Sequence, residues 1–409
     1  MELSKDTVLQ RAFDIDIRIE GERISARLND KYHQLGTHSL MILDAFATPK
    51  SLARGIQELQ AAIFGTRDWI RLTQQILGLA HVGFLRRPQD NQLPLRSHRG
   101  RFSSPNVHIR MLNDQARTHA YRQALFKLVR PEDTVLDIGT GTGILAATAA
   151  LAGARHVYAV ERSSNLSKLA RKFFDHNGLG EKITIIEGDS SRIELPEKAD
   201  VLVSEIIGND PLAEGILPCY EDARRRLLKP LARLIPGCLR IFALPLTAPA
   251  SFRRRLLFSE SSALHWEEQY LLDFTNYVEE TAARNFHGFA NSYHLKDWPR
   301  IAKPILVAEI DFSVGHSERV NCVREFVAEQ DGSLNAIAIL FEAELAEDIS
   351  LSVLPDQATQ ANSWASLIWL PGTPMEVRRD EALRISYRYG DETESQIDVT
   401  RLNRECSAQ

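Results

Sequence analysis

The sequence predicts an α/β protein with a doubly wound parallel sheet at its centre, a small strand-and-helix domain before it and an antiparallel β-barrel after it. Three observations predict this. Between Val135 and about Leu246 short apolar strands alternate with segments of helical periodicity, the order of βαβ units. A glycine-rich turn, Gly139 to Gly143, follows the first of those strands. After Leu246 helical periodicity gives way to β-type runs: Ile305–Ile310, Ala336–Phe341, Leu367–Leu370 and Leu383–Tyr389.

Composition narrows the class. At 409 residues the chain is longer than one ordinary core, and length alone suggests roughly two or three domains. No run of about 18 apolar residues is present, which argues against a membrane-spanning helix. The start, Met1-Glu2-Leu3-Ser4-Lys5-Asp6, is polar where a secretory signal is basic and then apolar, so a cytoplasmic location is expected. The four cysteines, Cys219, Cys238, Cys322 and Cys406, form no C-x-x-C pair and have no histidine at ligand spacing, so neither a disulfide framework nor a metal site is expected. A formal charge of −5 gives no global attraction to nucleic acid. The runs Arg224-Arg225-Arg226 and Arg253-Arg254-Arg255 read as solvated helix faces.

The first domain is expected over residues 1–88. Alternation from Phe13 through Ile15, Ile17 and Ile19, a turn at Glu20-Gly21-Glu22 and a second alternating run, Ile24 to Leu28, predict a strand pair. Helical spacing follows from Thr37 to Phe46, again through Leu52, Ile56 and Leu59 after Pro49, and a third time through Ile70, Leu72, Ile76 and Leu79 to a stop at Gly83. Strands followed by three helices suit a winged-helix-like module. The helix Leu40 to Phe46, the Thr48-Pro49 start and the closing Leu79-Ala-His-Val-Gly83-Phe84-Leu85 resemble the recognition domain of enzymes that modify ribosomally made peptides. That resemblance implies a peptide partner, a precursor bound through its leader. An open strand edge at Arg23–Leu28 is expected to receive it by main-chain hydrogen bonds. A generic winged helix that dimerises or binds DNA is the alternative.

Residues 89–106 are polar, rich in turn formers and without period, as a linker is. The segment 107–246 carries the parallel sheet. Its loop, Gly139-Thr140-Gly141-Thr142-Gly143, lets the backbone turn sharply and come close to a ligand at a helix N-terminus. Asp137 precedes it, and Glu161 ends the second strand where an acid hydrogen-bonds the two ribose hydroxyls of a nucleoside. A dinucleotide fingerprint needs a third glycine at the position held by Ile144. The fold is therefore Rossmann-like, with S-adenosylmethionine favoured over a dinucleotide.

The strand Val201-Leu202-Val203 leads into Ser204-Glu205-Ile206-Ile207-Gly208-Asn209-Asp210-Pro211-Leu212-Ala213-Glu214. Two carboxylates on a loop at the carboxyl edge of a parallel sheet are placed to grip a guanidinium, whose five donors match them bidentately. A helix cap plus a surface acid is the bland alternative. This loop closely resembles the double-glutamate loop of protein arginine N-methyltransferases, with Glu205 and Glu214 at its two acids. Similar stretches are His108-Ile-Arg-Met111-Leu-Asn-Asp-Gln-Ala-Arg117, the glycine loop, Ile185-Ile186-Glu-Gly188 and Asn362-Ser363-Trp364.

The resemblance implies that His108, Met111 and Arg117 touch cofactor or substrate, with Arg117 on the methionine carboxylate of S-adenosylmethionine. It adds Arg162, Asp189 and Ser190 to Asp137, Gly139, Gly141, Glu161 and Glu205 as cofactor contacts, and sets Trp364, next to Ser363, near the guanidinium. The barrel, 247–409, is expected to carry a dimerisation arm around Leu264 to Tyr277 and to make the protein a homodimer, unless those aromatics fill the barrel. Three departures bear on product and acceptor. Phe102 and two serines stand where the family has a Tyr-Phe-x-x-Tyr helix. Ser363 replaces a histidine, as in the symmetric-dimethylating branch, whereas Met111 resembles the asymmetric branch. Asn209-Asp210-Pro211 replaces bulky apolar residues. A histidine or lysine acceptor, and a silent peptide- or DNA-binding protein, remain as alternatives.

Overall fold

The computed structural model describes residues 4–12, 15–20, 23–28, 31–36, 38–59, 65–88, 105–281, 284–390 and 395–402. The chain forms two compact units, Met1–Arg96 and Ser97–Gln409. The linker expected at 89–106 lies outside the described residues, as do Phe13 and Phe102, except that Pro105 and Asn106 already begin a helix.

The first unit runs β1 (Val8–Arg11), β2 (Asp16–Glu20), β3 (Arg23–Leu28), β4 (Lys31–Gln34), α1 (Ser39–Ala45), β5 (Lys50–Ser51), α2 (Leu52–Leu59), α3 (Thr66–Val82) and β6 (Leu85–Arg86). The three expected helices are present, and α3 ends where Gly83 takes the left-handed conformation and returns its N–H to Leu79 O. The expected strand pair is β2 and β3, but β4 pairs on the far side of β3. Arg23–Leu28 is thus the centre of a three-stranded meander and offers no open edge, which corrects the expectation. Lys31-Tyr-His-Gln34 shows no apolar alternation, with Tyr32 exposed, so its pairing left no mark in the hydrophobic pattern. A separate core of Leu9, Ile42, Phe46, Leu72, Ile76 and Phe84 holds the unit together. Gly55 is required there, because a Cβ would stand 2.1 Å from Phe46 Cζ.

The second unit opens with α4 (Pro105–Asn113) and α5 (Gln115–Leu128), then β7 (Thr134–Ile138), α6 (Ile144–Leu151), β8 (His156–Glu161), α7 (Ser164–His176), β9 (Ile183–Glu187), β10 (Ala199–Ser204), α8 (Ile216–Arg226) and β11 (Leu228–Ile235). The strands form a parallel sheet in the order β11-β10-β7-β8-β9. Strand order reverses between β7 and β10, and in such sheets the crevice beyond the carboxyl ends at that point receives the ligand.

The antiparallel part follows: β12 (Cys238–Leu246), α9 (Ala250–Arg253), α10 (Glu260–Tyr270), α11 (Thr275–Thr281), β13 (Phe286–Asn291), β14 (Ile305–Asp311), β15 (Val320–Val327), β16 (Gly332–Leu334), β17 (Ala336–Ala346), β18 (Ile349–Ser352), β19 (Ala365–Leu370), β20 (Met375–Val377), β21 (Ala382–Tyr389) and β22 (Gln396–Arg401). Because β12 pairs with β14 and β17, the architecture changes at Pro236-Gly237 rather than at Leu246. An apolar strand end looks alike in either sheet, so sequence could not tell them apart. Nor are the arginine runs purely solvated. Arg226 donates to the main-chain oxygens of Ser190 and Ile193, Arg224 pairs with Glu221, and Arg253 donates to Asn335 O, leaving Arg225 of the first run outward. Near-neighbour acids Glu221 and Asp222 drew those side chains along the helix surface.

Candidate active site

The glycine loop is shaped as expected. Gly139, Gly141 and Gly143 all have positive φ, and the N–H groups of Gly139 and Thr140 donate to Val160 O, folding the turn back onto β8. The His108 ring lies against the loop, so closely that a Cβ on Gly141 would stand 2.9 Å from its Cε1. Glu161 Oε2 accepts from Gly141 N at 2.9 Å and Oε1 from Ser163 N at 2.7 Å, and a carboxylate oxygen has capacity for a second hydrogen bond.

Asp137 ends up wholly buried. One of its oxygens accepts from the Thr140 hydroxyl at 2.5 Å, and the other has no partner. Burial pushes its carboxyl up to about 7 against the Thr140 and Ala146 hydrogen bonds, and Glu161 adds to the rise. An orphaned acid oxygen, an orphaned Arg117 Nε, and a glycine turn with no room for side chains fit a nucleoside with a charged amino-acid tail.

Arg117 reaches the double-glutamate loop through an ion pair with Glu205, both side chains nearly buried. Its guanidinium carbon lies 5.5 Å from the centre of the Trp364 ring, so the stacking expected for a substrate guanidinium is here made by the protein's own arginine. Trp364 is fixed by its Nε1–H donating to Ile207 O at 2.8 Å and by an edge-on contact with Phe341. Glu214 lies within electrostatic reach of both Arg117 and Glu205. Burial pushes its carboxyl up to about 8, the Glu205 charge adding and Arg117 opposing. None of the described protein groups hydrogen-bonds it. Gly208 lies beneath, where a Cβ would stand 2.6 Å from Asp210 O and 3.2 Å from Glu214 Cγ.

The other expected residues divide. Asp189 caps the short turn Ser190–Arg192; burial works to raise its carboxyl, but bonds from the Ser191 hydroxyl and N–H, with Arg162 and Arg192 nearby, leave it lowered. Arg162 is exposed at the rim, and the Ser190 hydroxyl faces the Cys219 thiol at 3.9 Å. Met111 is half-buried on α4, one turn beyond His108. Ser363 is placed through its main chain: its N–H donates to Asp114 Oδ2 at 2.8 Å and its O accepts from Arg110 at 3.1 Å.

Sequence reasoning gave no role to Asp114, which stands between α4 and α5. Its Oδ1 caps α5 by accepting from Arg117 N, and its Oδ2 holds Ser363. An aspartate three residues ahead of Arg117 was the available signal. It also missed Asn209 and Asp210 as anchors. Asn209 Oδ1 accepts from Ala365 N at 2.9 Å, and the two Asp210 oxygens accept from Ser395 N and Oγ, each at 2.7 Å.

Comparison with known proteins decides the family. The chain is 30% identical over 296 residues to an arginine N(omega)-methyltransferase of Streptomyces achromogenes subsp. streptozoticus, covering 71% of this chain and 77% of that one. The chain belongs to the S-adenosylmethionine-dependent arginine N-methyltransferase family. Over a shorter span, 172 residues, this methyltransferase is 42% identical to a probable histone-arginine methyltransferase 1.4 of Arabidopsis thaliana, 40% of this chain and 31% of the other. Residues 116–235 match the family model of ribosomal protein L11 methyltransferase (PrmA), which covers the parallel sheet. In fold it is similar to the Trypanosoma brucei PRMT1 enzyme–prozyme heterotetrameric complex with AdoHcy, with TM-score 0.60, 21% identity and coverage of 74% of this chain and 99% of that one. Protein arginine methyltransferase 10 of Arabidopsis thaliana gives TM-score 0.60 at 24% identity, covering 73% and 94%. The methyltransferase fold, its antiparallel barrel and S-adenosylmethionine as cofactor are thereby shown.

Proposed function

We propose that the enzyme methylates an arginine side chain of a peptide or protein, a ribosomally made precursor held through its leader by the first unit. The observation that carries the arginine reading is the pairing of Glu205, fixed by Arg117, with Glu214, which no described protein group hydrogen-bonds; we read the space beside the two acids as the recess for the acceptor. Two carboxylates there suit a planar cation with several donors, and like charge disfavours a carboxylate acceptor.

S-adenosylmethionine supplies an activated methyl group when bound. Asp137, Glu161 and the Gly139–Gly141 turn would hold its nucleoside, with Arg117 Nε beside its carboxylate end. The chain's own contribution is placement. Glu205 and Glu214 set the guanidinium plane so that one terminal nitrogen is aligned for in-line attack, and Trp364 walls the recess. Displacement at a methyl group needs this alignment more than acid–base help.

The second unit also carries a helical arm. In α10 and α11 only Ala263 is buried, while Leu264 and Leu271 are 61% and 87% exposed. Phe258, Trp266, Phe274 and Tyr277 pack on one another, which supports an arm over aromatics that fill the barrel. We read the arm as the homodimer contact.

The test is mass spectrometry of a peptide bearing one arginine, incubated with enzyme and S-adenosylmethionine, beside versions with lysine or histidine at that position. A 14-dalton gain on the arginine peptide alone is expected, the mass of one added methylene. A gain only on the lysine or histidine version overturns the acceptor.

A further inference from the structure

The departure Asn209-Asp210-Pro211, where the resemblance leads one to expect bulky apolar residues, has a physical account in the barrel. The loop between the two glutamates hangs from strands far away in sequence. Ile207 O accepts from Trp364 Nε1 at 2.8 Å, Asn209 Oδ1 from Ala365 N at 2.9 Å, Asn209 O from Leu367 N at 3.2 Å, and Leu212 O from the Tyr389 hydroxyl at 2.7 Å. At the turn itself, Asp210 is 4% exposed and receives both the N–H and the hydroxyl of Ser395, which in turn meets the Tyr387 hydroxyl at 2.8 Å. A buried carboxylate with two short charge-assisted bonds is a far stiffer tether than an apolar contact. Asp210 O is also the atom closest to a Cβ placed on Gly208, with Glu214 Cγ next. The anchored turn therefore lies directly under Glu214, which has no hydrogen bond among the described residues.

We propose that Asp210, through Ser395 and Tyr387, is a positioning residue for catalysis: it fastens the double-glutamate loop to the start of β22 and so sets where Glu214 stands. The polar pair does what packing of large apolar side chains would do, and makes the placement of the second glutamate depend on the last strand of the barrel. Arg117 and Glu205, the charged groups that face Glu214, are held separately through α5 and do not need this tether. Losing Asp210 should then loosen one glutamate and leave the other, with the cofactor cradle, in place.

This inference rests on the arginine reading for its kinetic arm and is independent of it for the other. The variants are Asp210→Asn, which puts an amide N–H against donors, Ser395→Ala, which removes one of the two bonds, and the pair combined. Expected for Asp210→Asn is a fall in kcat of about tenfold or more with S-adenosylhomocysteine affinity within about twofold of wild type. Ser395→Ala should fall less, and the pair should be no worse than Asp210→Asn alone, because both cut one tether. The alkaline inflection of kcat/KM should move down, as Glu214 gains solvent while Glu205 and Arg117 stay. Amide hydrogen exchange needs no acceptor: protection should drop over 207–215 and stay unchanged around Gly139–Gly143. Undiminished kcat with wild-type exchange in Asp210→Asn overturns the proposal, as do additive losses accompanied by weaker cofactor binding. If Asp210→Asn does not fold, Ser395→Ala with the same exchange pattern decides. Absence of turnover in the wild type, with the exchange pattern as expected, counts against the acceptor and for the tether.

Discussion

Glu214 shows how little a residue's identity says about its charge. Burial pushes its carboxyl from the ordinary 4.5 up to about 8, so near neutral pH the ligand-free enzyme holds it mostly protonated. An arriving guanidinium favours the ionised form and pulls that value down. The proton must nonetheless leave before a guanidinium is gripped, so kcat/KM at saturating cofactor should rise with pH through an inflection raised above 4.5 and at or below about 8, the sulfonium charge favouring the ionised form. Glu214→Gln should abolish that inflection along with most turnover, and Glu205→Gln should lose turnover as well, each costing about 2 to 4 kcal/mol in the transition state while cofactor affinity is nearly kept. A flat wild-type profile, or wild-type rates in either variant, refutes the role given to the pair. The two acids were readable as a motif. Their different surroundings were not, because the Arg117 that neutralises Glu205 comes from α5, and burial is a property of the assembled loop.

At the level of elements the glutamate loop and the arm make opposite demands. The loop has no spare room. Gly208→Ala would drive a Cβ against Asp210 O at 2.6 Å, a backbone atom that cannot swing aside, so the turn must shift and carry Glu214 with it. The cost of about 1 to 3 kcal/mol for such overpacking should appear in kcat, with cofactor affinity by calorimetry unchanged; a fully active Gly208→Ala enzyme contradicts this geometry. The arm, by contrast, leaves large apolar groups in water. Light scattering at micromolar concentration should give a dimer, and Leu264→Glu with Leu271→Glu should give a monomer of unchanged thermal stability; a wild-type monomer removes the interface. Periodicity made α1 to α3, α6, α7, the strands β2, β3 and β7 to β10 and the antiparallel strands β14, β17, β19 and β21 legible, but it did not give β1, β11, β12 or β15. It was blind to β4, which has no apolar face, to the sheet change at Pro236-Gly237, and to Asp114, Asn209 and Asp210, whose partners are distant in sequence.

For the whole molecule the question is why a complete methyltransferase carries another unit. Its core of Leu9, Ile42, Phe46 and Phe84 is separate from that of residues 97–409, so each has the apolar interior it needs and removal of residues 1–88 should leave the catalytic unit folded. With β3 enclosed between β2 and β4, a leader bound as proposed would extend the meander along β2 or β4, and we take β4, Lys31–Gln34, with Tyr32 exposed, as the edge to test. On the proposed leader reading, holding the leader would raise the local concentration of the acceptor arginine at Glu205 and Glu214, so that a core segment with little affinity of its own would still be methylated. Truncation should therefore raise KM for the full precursor by about tenfold or more and change kcat little, while a short arginine peptide without leader reacts equally poorly with both forms. Replacing Gln34, on β4, by proline, which removes an N–H that the alternation of the ladder turns away from β3, should weaken precursor binding in the intact enzyme without touching turnover of the short peptide. If the truncated enzyme handles the precursor as well as the intact one, or if the first unit binds duplex DNA and no peptide, the leader account fails and the alternative of a nucleic-acid module takes its place.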